Sequence, residues 1–78
     1  MIRIYVDSNM QDEDGRLLLD NLRSVADLRK HEGSLKEGLR VMLYEDDDYE
    51  VEATLYFDNG WLAVPDDSTL RYLDGTES

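Results

Sequence analysis

The chain contains no cysteine. That single absence excludes disulfides, thiolate metal centres and cysteine nucleophiles. A fold of 78 residues without such staples must rest on packing alone. A chain of this size buries about 60% of the surface its unfolded form exposes, enough for one modest core. Histidine occurs once, at His31. Ser8, Ser24, Ser34 and Ser68 stand in turn or cap surroundings, and none sits in a glycine elbow. No glycine loop suited to phosphate and no dinucleotide fingerprint is present. No run is long and apolar enough to span a bilayer, and Met1–Asp7 lacks the apolar core of a signal peptide. The expectation is a cytoplasmic, non-enzymatic protein without cofactor or metal, folded as one domain over residues 1–73 with a frayed tail, Asp74–Ser78.

Basic residues are scarce as well: 8 Lys and Arg stand against 19 Asp and Glu, a net charge of −11. Such a field repels nucleic acid and anionic membranes and favours basic partners. The same acidity also serves solubility. Hydrophobic content of 41% argues for a folded chain despite the charge. The acids between Asp7 and Asp14 do not make a calcium loop. Counting from Asp7, Asp12 stands where an EF-hand requires glycine and Leu18 where it requires glutamate.

The stretch Gly38–Pro65 carries the clearest pattern. Leu39, Val41 and Leu43 alternate with Arg40, Met42 and Tyr44, and Tyr49, Val51, Ala53, Leu55 and Phe57 alternate with Glu50, Glu52, Thr54, Tyr56 and Asp58. Such alternation builds strands with one dry and one wet face. Asn59-Gly60 predicts a two-residue hairpin loop. In that register Leu55 faces Val64 and Phe57 faces Leu62 on the dry side, while Trp61, Tyr56, Ala63 and Thr54 share the other. The preceding hairpin requires an odd loop to keep its apolar sets together; a five-residue loop, Tyr44–Asp48, pairs Leu43 with Tyr49 and Val41 with Val51. Pro65 ends the fourth strand, and Thr69–Leu73 forms a short closing strand or a helical turn.

Upstream, Ile2, Ile4 and Val6 mark a first strand, followed by an exposed acidic loop, Asn9–Gly15. Arg16–Leu19 reads either as a strand returning antiparallel to Ile2–Val6 or as the start of a helix continuing through Leu22, Val25, Ala26 and Leu28; Asp20-Asn21 favours a break and so the strand. Ser24–Glu32 is the helix candidate: Ser24 as cap, Val25, Leu28 and the preceding Leu22 toward the core, Arg29, Lys30 and His31 in the last turn, and a left-handed Gly33 after it. The predicted class is α+β, mainly β: a small, strongly bent antiparallel sheet with one short helix near residues 24–32. Over Leu35–Leu73, the pattern L-x-x-G-x-x-V-x-L, the acidic loop, E-V-x-A-x-L and G-W-x-A-x-P resemble an SH3-like small barrel.

The wet face of the meander is the candidate site. Trp61, Tyr56, Tyr44 and Met42, with Glu50, Glu52 and Asp58 around them, have the composition of a protein-binding patch. The acidic loop Glu45, Asp46, Asp47 and Asp48 would steer a basic protein or peptide toward it, and a homodimer through the same face is a simpler version. The alternative is an acidic inhibitor, a nucleic-acid-mimicking decoy covering the basic surface of a nuclease or DNA-binding protein.

Overall fold

The computed structural model describes residues 1–46 and 48–73, so Asp47 and the tail expected to fray, 74–78, lie outside the described residues. The fold is mainly β, a strongly curled half-barrel with one α-helix, of the SH3-like small-barrel kind. The strands are β1 (Arg3–Tyr5), β2 (Leu17–Leu18), β3 (Arg40–Glu45), β4 (Tyr49–Phe57), β5 (Trp61–Pro65) and β6 (Arg71–Tyr72), and the helix α1 spans Leu22–Lys30. The sheet order is β1-β3-β4-β5-β2, with β6 pairing β4 beyond the end of β5. Among the described residues no helix is long and apolar enough to cross a membrane.

The alternation works as expected. Ile4, Val6, Val41, Leu43, Ala53 and Leu55 are fully buried on the concave side, with Leu17, Leu19, Leu28, Val51 and Ala63 around them. The pairings differ from the expected ones. β1 runs parallel to β3, pairing Ile4 with Leu43, and β2 pairs antiparallel with β5, Leu17 opposite Ala63. Arg16–Leu19 therefore makes no hairpin with the first strand. It turns back locally on Met10–Asp12, where Leu18 N–H donates to the Met10 carbonyl at 2.8 Å, and then closes the far edge of the sheet. A parallel β1–β3 pair needs a long crossover, and the segment through β2 and α1 supplies it.

The first hairpin loop is shorter, and the second longer, than the turn signals suggest. Glu45 pairs with Tyr49 and Leu43 with Val51, so three residues rather than five separate the strands. The loop is odd, as register demands, and both apolar sets stay on the concave side. At the second hairpin Phe57 pairs with Trp61, Tyr56 with Leu62 and Leu55 with Ala63. The loop is Asp58-Asn59-Gly60, closed by Asp58 N–H on the Gly60 carbonyl at 2.9 Å. Asn59 (φ 59°) and Gly60 (φ 136°) hold it. This one-residue change turns Trp61 and Ala63 inward and leaves Val64 exposed. It also packs the large indole against the core, which the two-residue register would have turned out to solvent.

The helix begins earlier than its sequence signals indicate. Asn21 is the cap, accepting from Ser24 N–H at 2.9 Å. Ser24 lies inside the first turn and is completely buried. Leu22, expected in the core, is 89% exposed. Leu28 is buried as expected and Val25 half-buried, while Ser24 and Asp27 complete the buried face. The Ser24 hydroxyl donates to the Tyr5 carbonyl, and Tyr5 N–H donates to Asp27 Oδ2 at 2.9 Å. Two helix side chains thus satisfy the free edge of β1 as a neighbouring strand would, and a strand edge so covered offers no template for association. His31 is the C-cap and its N–H bonds back to Leu28. Gly33 lies in a 3₁₀ turn, Glu32–Ser34, without positive φ; the left-handed glycine is Gly38 (φ 88°), at the entry to β3.

Candidate functional site

The residues expected to form one wet patch are divided between the two faces of the sheet. Met42, Tyr44, Glu50 and Glu52 do share the convex face, since Met42 pairs with Glu52 and Tyr44 with Glu50. There they are engaged internally. Arg3 bonds Glu50 at 2.8 Å and Arg71 bonds it at 2.9 Å from the other side. The Arg3 hydrogen bond holds the Glu50 carboxyl below its ordinary value, overcoming the effect of desolvation. Arg40 bridges Glu52 at 3.1 Å and Asp66 at 2.6 Å. The Tyr44 hydroxyl donates to Asp27 at 2.9 Å, and burial, with that hydrogen bond, pushes its pKa up. Tyr56 is exposed at the far end of the same face, whereas Trp61 lies on the concave side against Phe57, ring centroids 5.1 Å apart, and Asp58 is in the hairpin loop. The predicted aromatic patch is therefore not a continuous surface.

A different group of residues converges at the open end of the half-barrel. Glu45 on β3 pairs with Tyr49 on β4, and Tyr49 pairs with Tyr72 on β6. Directly opposed residues share a face, so one row, Glu45–Tyr49–Tyr72, crosses three strands on the concave side. The row forms a wall of an open groove of about 670 Å³ whose apolar surface includes Leu17, Val51 and Pro65. The exposed Asp48, Asp67 and Leu70 stand on its rim. Glu45 accepts from Ser8 N–H at 3.3 Å. Burial, with the Glu45 carboxylate beside it, pushes the Tyr49 phenol up to about 12. Among the described residues Glu45, Asp48 and Asp67 form no ion pair with Lys or Arg, although Arg3, Arg16, Arg23, Lys30, Arg40 and Arg71 all find carboxylate partners elsewhere.

No protein-family model, no curated protein and no solved structure matches this chain. What the groove can do follows from its own chemistry. A volume of this order suits a side chain or a short peptide segment. Aromatic rings and aliphatic walls supply contact area, and the acid rim supplies complementarity to positive charge. Among the described residues no three His, Asp or Glu side chains are grouped to hold a metal ion.

Of the four acidic-loop candidates, Glu45 and Asp48 border the groove, Asp46 turns away to pair with Arg23 at 2.8 Å, and Asp47 is outside the described residues. Tyr49 and Tyr72 are site residues that the sequence pattern does not single out. Their partnership depends on the three-residue loop and on β6 taking up the edge of β4 beyond β5, and neither pairing has a local signature. The one available hint is an aromatic after each acidic segment, Tyr49 after Glu45–Asp48 and Tyr72 after Asp66–Asp67.

Proposed function

We propose that the protein is a non-enzymatic, acidic interaction module of the cytoplasm that binds a basic protein or peptide, and that the partner docks in the groove walled by Tyr49 and Tyr72. The observation that carries this reading is the coincidence of an aromatic and aliphatic groove with three carboxylates, Glu45 in its wall and Asp48 and Asp67 on its rim, that form no ion pair with Lys or Arg among the described residues. Exposed carboxylates already neutralised by the chain's own arginines would gain little from a cationic ligand; unpaired ones beside a partly apolar surface gain both steering and contact. A cytoplasmic setting fits a cysteine-free chain. The decoy alternative draws on the net charge of −11 alone, and it requires no groove.

Selection of random displayed peptides on the immobilised protein tests the proposal. Enriched peptides should be rich in Lys and Arg, should lose binding when Asp48 and Asp67 are both changed to Asn, and should weaken steeply as salt rises from about 0.1 M to 1 M, over which the Debye length shrinks from about 10 Å to 3 Å. Enrichment of neutral or acidic sequences, or indifference to the two Asn changes, would sink it. Displacement of the selected peptides by duplex DNA, a polyanion competing for the peptides, is expected under either reading. Tight capture of a DNA-binding domain that survives the loss of Tyr72 would favour the decoy.

A further inference from the structure

The chain holds its own arginines in a repeated manner. The Arg23 guanidinium lies 3.9 Å from the Tyr5 ring centroid while its Nη2 bonds Asp46 at 2.8 Å. The Arg3 guanidinium lies 4.9 Å from the Tyr44 ring centroid while its Nη1 bonds Glu50 at 2.8 Å. In both places a tyrosine face and a carboxylate act on one planar cation. The face attracts the positive charge through its quadrupole, and the carboxylate accepts hydrogen bonds in the guanidinium plane.

The groove at the open end brings the same two components together a third time. Tyr49 and Tyr72 stand directly opposite each other on β4 and β6, with Glu45 opposite Tyr49 on β3 and with Asp48 and Asp67 on the rim. The nearest arginine in sequence, Arg71, is committed to Glu50 on the convex side. We infer that this groove accepts an arginine side chain of the partner, its guanidinium stacked on the tyrosine pair and hydrogen-bonded to the rim carboxylates. The inference rests on the proposed function and adds the identity of the recognised group. Lysine is the poorer ligand here. Its ammonium is a strongly hydrated point charge, and it cannot present a flat face to a ring and a donor fork to a carboxylate at the same time.

The test is a solution NMR titration of the full chain with three peptides, Gly-Arg-Gly-Arg-Gly and the same sequence with lysine or with citrulline in place of arginine. The expected result is a set of amide shifts centred on Asp48, Tyr49 and Tyr72, an arginine peptide bound about three- to fivefold more tightly than the lysine peptide, and no saturable binding of citrulline. Equal affinity for lysine and arginine would overturn the guanidinium inference while leaving the proposed basic partner standing. Binding of citrulline as tight as that of arginine would also overturn it, since the carboxylates would then have no part. Shifts for none of the cationic peptides, or shifts confined to another surface, would overturn the proposed function itself. Tyr72→Leu separates stacking from simple charge: the side chain is 72% exposed, so the fold should survive. The arginine preference should fall to parity while salt-dependent binding persists. An unchanged preference in that variant would overturn the stacking arrangement, and Asp67→Asn, read in the same titration, should weaken arginine and lysine binding together.

Discussion

Replacing Asp27 by alanine should be among the most damaging single changes on the helix. Its Oδ2 accepts from Tyr5 N–H and from the Tyr44 hydroxyl, each at 2.9 Å, at a site only 9% exposed. Hydrogen bonds to a charged acceptor are worth about 1.5–3 kcal/mol, and a buried donor left without a partner costs about 1–3 kcal/mol. These contributions overlap, so a loss of about 3 kcal/mol is expected, equivalent to about 12–24 °C in Tm for a domain of this size. Asp27→Asn keeps an acceptor oxygen and should lose only about 1 kcal/mol, since the charge goes but the geometry stays. The assay is urea unfolding followed by tryptophan fluorescence, Trp61 being the only tryptophan. A double-mutant cycle with Tyr44→Phe should show a coupling of about 1 kcal/mol, as expected for residues sharing one hydrogen bond. An Asp27→Ala protein that loses less than about 1 kcal/mol would refute the reasoning, because the strand edge would then be satisfied without the helix. Additivity of the two changes would refute the Tyr44 contact specifically.

Trp61→Ala should lower stability by about 3 kcal/mol, through lost burial and the lost contact with Phe57, with little effect on groove binding; Leu22→Asp, at a solvated position, should stay within about 0.5 kcal/mol of the parent, and both are read by denaturant melts. Glu50→Gln should change the acid limb of the stability profile. The Glu50 carboxyl is held below its ordinary 4.5 by Arg3, so the parent's advantage over the variant is fully present above that value and fades as pH falls through the lowered one; a constant difference across the acid range would contradict the pairing. Tyr49 gives the opposite sign at high pH. Its phenol is raised from 10.0 to about 12, so the stability it contributes is present below pH 10.0 and is lost as pH rises toward 12. An ultraviolet titration should show this phenol ionising near 12, and its early ionisation near 10 in the folded protein would contradict the burial.

The class of fold, the concave rows of β3 and β4, a short helix ahead of β3 and the stop at Pro65 were legible in the sequence. These are local consequences of side-chain alternation, capping chemistry and the fixed φ of proline. The sequence also determined the parity of the first hairpin loop, because a wrong parity would expose Val41 and Leu43. Only the tertiary structure decided which strands meet. The parallel pairing of β1 with β3 and the closure of β2 on β5 join residues far apart in the chain, and nothing in Ile2–Val6 or Arg16–Leu19 names its partner. The helix shows the same division. Its apolar spacing suggested Leu22, Val25 and Leu28 as the buried face, and Leu28 is buried, yet Ser24 and Asp27 take the rest of that face because the edge of β1 required a donor and an acceptor. The candidate site was half legible: the acidic loop marked Glu45 and Asp48, but Tyr49 and Tyr72 became neighbours only when β6 took up the edge of β4 beyond β5. Trp61 made the reverse passage, from the predicted wet face to the concave side against the core, when one extra loop residue turned it over. A period of two makes face assignment that sensitive, because a strand read one residue out of register exchanges its dry and wet sides completely.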